Sequence, residues 1–188
     1  SIMVNPAGQR FSNESQNYMA FQQETFARHT EENPLNPSWH IFDANFRATY
    51  FVGPLYNSKF LPDWAVPKRY EEEGFFAKAD SIAELARKID VDAAGLEETV
   101  TKMNEFARNG EDLDFQRGDS AYDRYYGDPR VTPNPCLGPI NKAPYYAMKV
   151  DPGDFGTQGG MVTNADAQVM HENGTVIEGL YAIGNCSA

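Results

Sequence analysis

The feature that most constrains this chain is a run of glycines set between strand signals near its C-terminal end. Tyr145–Val150 is aromatic and apolar, as a strand requires. It leads into DPGDFGTQGG, whose glycines at 153, 156, 159 and 160 let backbone approach another group closely. A hairpin turn needs only two or three permissive residues, so a longer series points to a loop that touches a ligand. Two further strands are predicted at residues 167–170 and 180–183, joined by Glu172, Asn173 and Gly174. The second is apolar throughout, which predicts burial on both faces, and it stops at Gly184 and Asn185.

Composition narrows the partners. At 188 residues the chain suffices for one domain with a real core. A formal charge of −11 opposes a phosphate backbone, so nucleic acid is excluded as a partner. No apolar run approaches the roughly 20 residues of a membrane span, and no signal-peptide series is present. Cys136 and Cys186 are far apart and belong to no metal-spaced pair, which predicts reduced thiols and a cytoplasmic protein. His29, His40 and His171 are scattered, so no metal site is expected and each is read as a surface or packing residue.

Along the chain, Ile2–Val4 and residues 9–11 are expected to form a hairpin around Asn5, Pro6, Ala7 and Gly8. A helix is predicted over 17–29, with Phe21, Thr25 and Phe26, or Met19, Gln22 and Phe26, sharing a face. Residues 39–42 read as a strand, 44–50 as a short helix or turn, and 53–70 as a long loop of the kind that binds or closes over a ligand. Ser81 and Glu84 form a capping box for a helix to Ile89. Asp92 caps a longer helix to Arg108, with Leu96, Val100, Met103 and Phe106 or Ala107 inward and Gly110 past its end. Residues 111–143 read as an irregular surface loop, their aspartates out of order for an EF-hand.

Two segments carry a resemblance. GLYAIGN resembles the strand that returns the chain to the FAD-binding domain in the fumarate reductase and succinate dehydrogenase flavoprotein superfamily, and GQRFSNES is similar to the GxRFxNE motif of the same superfamily. PYYAMKVDPGDFGTQGG with GLYAIGNCSA looks most like the 3-ketosteroid Δ1-dehydrogenases. No GxGxxG follows a strand, so the ADP-binding half is absent and the chain is expected to be part of a larger flavoenzyme.

The resemblance implies an α+β fold: residues 1–11 as edge strands of an FAD-binding domain, 12–150 as the substrate-binding (catalytic) domain, and 151–188 as the flavin-proximal loop and return strands. It implies FAD in the full-length protein, not bound by this piece alone. The partners implied are a small apolar ketone, a steroid, and the FAD-binding domain of the same chain. Tyr18, a few residues after NES, matches the tyrosine base of the family. Because free tyrosine titrates at about 10, such a base needs hydrogen-bonding neighbours or a proton relay. Tyr145, Tyr146 and Phe155 are expected to contact substrate, and Gly156, Thr157, Gly159, Gly160, Gly184 and Asn185 to contact the cofactor.

Alternatives stay open. Fumarate chemistry would place a histidine before T-x-GG, where this chain has Gly156 preceded by Asp154 and Phe155, a pairing suited to a neutral substrate. Δ4-(5α) steroid dehydrogenation uses the same cofactor and base. A stand-alone binding module without flavin is the non-enzymatic alternative, and packing of Tyr18 on a helix face is the purely structural reading of that residue.

Overall fold

The computed structural model describes residues 1–188 except 154, 155 and 158. It divides into two units, Ser1–Pro152 and Gly153–Ala188.

The first unit is built on a four-stranded antiparallel sheet of β1 (Ile2–Val4), β2 (Ser38–Asp43), β3 (Phe76–Ala79) and β4 (Tyr145–Val150), in the order β1-β2-β4-β3. The alternation of β4 assigns its two faces. Ala147, opposite Ile41, joins a core with Ile2, Val4, Leu85, Leu96, Val100 and Met103, supplied by helices α4 (Ile82–Lys88) and α5 (Ala93–Asn109). Tyr146 and Met148 join Phe42, Val52, Leu55 and Phe76 in a second core on the other face.

The helix ends follow their sequence signals. Ser81 accepts from the Glu84 amide at 3.2 Å, but the Glu84 carboxylate reaches the amide of Asp80 at 3.4 Å, so the reciprocal half of the box falls one residue early. Asp92 caps α5, and Gly110 ends it in the left-handed region at φ 81°. Leu96, Val100 and Met103 of α5 are buried as expected, and of the alternatives Phe106 and Ala107 both are. Helix α1 (Tyr18–Arg28) starts where expected, capped by Asn17, yet it buries only Thr25; Met19 and Phe26 are exposed. Helix α2 (Ala44–Thr49) follows β2, capped by Asp43.

Several expectations are corrected. The N-terminal hairpin does not form: residues 9–11 leave the turn, and β1 pairs instead with β2, Ile2 opposite Ile41. The turn is held by α5, because a Cβ on Gly8 would lie 2.3 Å from the Leu96 nitrogen and one on Gly95 2.1 Å from the Ala7 oxygen. Only glycine at both positions permits that approach. Residues 53–66 are gathered by Arg47, a fully buried side chain that donates to the carbonyls of Tyr56 and Leu61. Between them and α4 lie two elements without a sequence signal, the single turn α3 (Arg69–Glu72) and strand β3. Within 111–143 the chain forms α6 (Ala121–Tyr125), and Asp112 and Asp123 are buried rather than on a surface loop.

The second unit contains an antiparallel pair, β5 (Gln168–Met170) and β6 (Val176–Tyr181), joined by a turn in which Gly174 adopts φ 82°. The expected burial of the last strand on both faces is not found. Of the expected residues 180–183 only Ala182 is buried, every residue of β6 is exposed, and Ile183 beyond it is 75% exposed. Apolar composition buries a strand only when another layer covers it, and among the described residues this unit supplies none. No helix among the described residues is long and apolar enough to cross a membrane.

Candidate functional site

The RFSNES segment, residues 10–15, is the organising part of the first unit. Arg10 presents its planar fork to two carboxylates, to Glu14 at 2.9 and 2.7 Å and to Asp112 at 3.1 and 2.8 Å. Glu14 also accepts from the Met3 amide at 3.1 Å and from Arg117 at 3.2 Å. Burial alone would raise the Glu14 carboxyl, but the Arg117 charge and the Arg10 fork overrule it and pull it down to about 2. Asn13 donates to Asp123 at 2.9 Å, and Asp123 also accepts from the Gly118 amide and the Ser120 hydroxyl. Ser15 accepts from Arg117 at 2.9 Å. Bidentate pairs of this kind fix orientation as well as distance.

That network delivers the chain to Asn17 and sets down Tyr18 as the first residue of α1. Tyr18 is 60% exposed, so it is not a core aromatic. It lines a cleft of about 900 Å3 together with Phe46, Tyr50 and Phe51 from α2 and the residues after it, and Tyr122 from α6 and Tyr126 just past its end. The size lies within the roughly 300–1,000 Å3 usual for small-molecule sites, and the aromatic lining suits a flat apolar guest.

Both arginines of the cleft are engaged. Arg117 is held by Glu14 and Ser15. Arg130 grips Asp128 at 2.9 and 2.6 Å, and the Tyr50 hydroxyl donates to the same carboxylate. The Arg130 fork and then the Tyr50 hydroxyl hold Asp128 well below the usual carboxylate range. Burial, reinforced by Asp128 as acceptor, pushes Tyr50 up to about 12.

Tyr145 and Tyr146 do not line this cleft. Tyr145 packs against the helix-side core, and Tyr146, 3% exposed, stacks between Phe42 and Phe76 and donates to Asp63 at 2.7 Å. Burial and that acceptor raise its hydroxyl above the ordinary tyrosine value. Phe155 lies outside the described residues. The cleft aromatics Tyr50, Tyr122 and Tyr126 escaped sequence reasoning; the Ser120-x-x-Asp123 cap that starts α6 was the available signal for the last two.

In the second unit the glycine segment meets the 3-10 turn Gly184–Cys186. Met161 donates to the Cys186 carbonyl and the Ala188 amide to the Met161 carbonyl, each at 3.0 Å. A Cβ on Gly160 would lie 2.2 Å from the Cys186 backbone, so glycine is what allows the contact. Among the described residues, Gly156, Gly159 and Gly184 have nothing within 4 Å of where a Cβ would stand, and the last two have positive φ. Bare backbone with open space in front of it fits close approach of a flat ring system. Of the expected cofactor positions, Gly160 is thus beside Gly184 and Asn185, while Gly156 and Thr157 lie further along the same segment.

Known proteins resemble this chain in sequence and fold. The chain is 42% identical over 192 residues to the 3-oxosteroid 1-dehydrogenase of Mycobacterium tuberculosis, covering 100% of this chain and 33% of that protein. It is 39% identical over 193 residues to the 4-oxocyclohexanecarboxylate 2-dehydrogenase of Sinomonas cyclohexanicum, covering 100% of this chain and 31% of that one. The crystal structure of 3-ketosteroid Δ1-dehydrogenase from Sterolibacterium denitrificans in complex with 1,4-androstadiene-3,17-dione superposes with a TM-score of 0.85 at 46% identity, over 100% of this chain and 33% of that chain. The chain therefore spans about a third of the length of the curated relatives it matches. The family model described as the FAD binding domain matches residues 1–188, and the chain belongs to that family.

Proposed function

We propose that the full-length protein is an FAD-dependent oxidoreductase that dehydrogenates the ring of a 3-ketosteroid between C1 and C2, with Tyr18 as proton acceptor. The observation that carries the reading is the setting of Tyr18: exposed on an aromatic cleft, yet anchored from behind by the buried RFSNES network. The likeness to 3-ketosteroid dehydrogenases supports the same substrate class.

Desaturation beside a ketone removes a proton from the α-carbon and a hydride from the β-carbon. FAD, when bound, supplies the hydride acceptor. The chain supplies the rest. Phe46, Phe51, Tyr122 and Tyr126 hold the flat ring and exclude water; Tyr18 takes the α-proton at its phenolic oxygen. Gly156, Thr157, Gly159, Gly160, Gly184 and Asn185 would lie against the cofactor through their backbone, which the open space at Gly156, Gly159 and Gly184 among the described residues supports. The proposed division assigns 1–11 to the edge of an FAD-binding domain, 12–150 to substrate binding and 151–188 to the flavin-proximal return. The unit boundary at Pro152 supports the last division, and the unpaired outer edge of β1 among the described residues is compatible with the first. Two unpaired cysteines fit the cytoplasmic location that belongs to this reading.

A single-ring ketone acid is the second reading, favoured by the Sinomonas relative. A carboxylate needs a cation, and both arginines of the cleft are committed, Arg117 to Glu14 and Arg130 to Asp128. The neutral steroid is therefore preferred. The test is turnover of the full-length protein with 4-androstene-3,17-dione and an artificial electron acceptor, with 4-oxocyclohexanecarboxylate and fumarate in parallel. Dehydrogenation of the steroid alone is expected; turnover of either acid in its place would overturn the assignment.

A further inference from the structure

The cleft does not end at a solid wall. A smaller cavity of about 290 Å3 adjoins it, and the two share Phe46, Tyr50, Asp128, Arg130 and Val131 in their linings. At that shared boundary the Tyr50 hydroxyl donates to Asp128, Arg130 clasps the same carboxylate from the exposed side, and the Phe46 ring braces the Tyr50 ring at 4.7 Å. Asp128 is itself held through its backbone, its amide on the Pro135 carbonyl at 3.0 Å and its carbonyl accepting from Val131 at 2.9 Å. The bridge thus ties α2 to the segment after α6, which are separate walls of the cleft.

We infer that Tyr50 and Asp128 form a specificity-determining partition: while the bridge stands, the cleft takes a compact polycyclic ketone, and when it is broken the side cavity is added and a ketone with a bulky alkyl tail is accepted. The inference rests on the proposed steroid reading and adds to it which substrates are refused. The polar bridge is suited to refusal. An alkyl group pressed against it must displace the Tyr50–Asp128 hydrogen bond or desolvate Asp128, and neither loss is repaid by an apolar guest. Through Tyr50 the bridge is also directional, since its only hydroxyl proton is committed to Asp128 and cannot be offered to a substrate carbonyl.

The experiment compares full-length wild type, Tyr50→Ala, Tyr50→Phe and Asp128→Ala for kcat/KM on 4-androstene-3,17-dione and on 4-cholesten-3-one, with flavin content measured for each. The ratio of the tailed to the compact ketone should rise about tenfold or more in Tyr50→Ala, the scale on which hydrophobic pockets discriminate small volume changes. It should rise less in Tyr50→Phe and Asp128→Ala, which keep the braced ring and lose the bridge. An unchanged ratio in Tyr50→Phe and Asp128→Ala, with flavin retained, overturns the partition even if Tyr50→Ala does not fold. Absence of turnover of both ketones by wild type overturns the steroid reading itself, and the partition with it.

Discussion

Arg10 and Asp112 stand 102 positions apart in sequence and meet fork to fork inside the protein, at 3.1 and 2.8 Å. Their side chains are 4% and 0% exposed. A carboxylate so deeply buried is tolerated because the guanidinium satisfies it, and the same guanidinium carries Glu14 on its other edge.

Removing Asp112 leaves Arg10 held by Glu14 alone, with one edge of its buried fork unpaired and unsolvated. Asp112→Ala should therefore destabilise the first unit by about 3–5 kcal/mol, the range for breaking a buried ion pair. Glu97→Ala, on the solvated face of α5, should stay within about 0.5 kcal/mol. Denaturant midpoints of the two variants against wild type check the contrast; equal midpoints would show that the buried pair contributes nothing.

Glu14 gives the network a pH dependence. Its carboxyl lies at about 2 in the folded protein against an ordinary 4.5, so the unfolded chain binds its proton first as pH falls. For a depressed carboxylate the contribution is fully present above the unfolded value and is lost between pH 4.5 and about 2. Stability measured from pH 6 downward should fall across that window, and Glu14→Gln should flatten the fall while lowering the plateau. A variant with the wild-type slope would assign the acid sensitivity to other carboxylates.

How far the sequence reveals this molecule depends on how local each signal is. Helices α4 and α5 were legible because Ser81, Asp92 and Gly110 mark their ends and their apolar residues recur at helical spacing. The RFSNES and glycine segments stood out as motifs. Pairing partners did not: β1 joins residues 38–43, and nothing near Ile2 says so. Strand β3 is mostly alanine and lysine, poor strand formers, and is held at the sheet edge by β4. Asp112 and Asp123 resemble solvated loop aspartates until their partners Arg10 and Asn13 arrive from the other end of the chain. Apolar residues 180–183 state what a strand could bury, and only tertiary structure states what covers it.

Tyr18 is where the catalytic reading is most exposed to test. Tyr18→Phe keeps the ring on the cleft and removes the atom proposed to take the proton. In the full-length protein kcat should fall by about 10²–10⁴, the usual contribution of a general base, with flavin content unchanged. A fall in flavin content instead would make Tyr18 a packing residue, and unchanged turnover would remove it from the mechanism.

The glycine segment separates a structural role from a ligand-facing one. At Gly160 an added methyl meets the Cys186 backbone at 2.2 Å, so Gly160→Ala must push the segment off the terminal turn whatever lies in front of it. At Gly156 the methyl meets nothing within 4 Å among the described residues, so these leave room for alanine. If the open side of this segment faces the flavin, Gly156→Ala in the full-length protein should lower flavin occupancy while the thermal midpoint of the flavin-free form holds, and Gly160→Ala should lower both. The measurement is absorbance of bound flavin alongside thermal unfolding of the stripped protein. Full flavin occupancy in Gly156→Ala would turn that side of the segment away from the cofactor and leave Gly160 with a folding role alone.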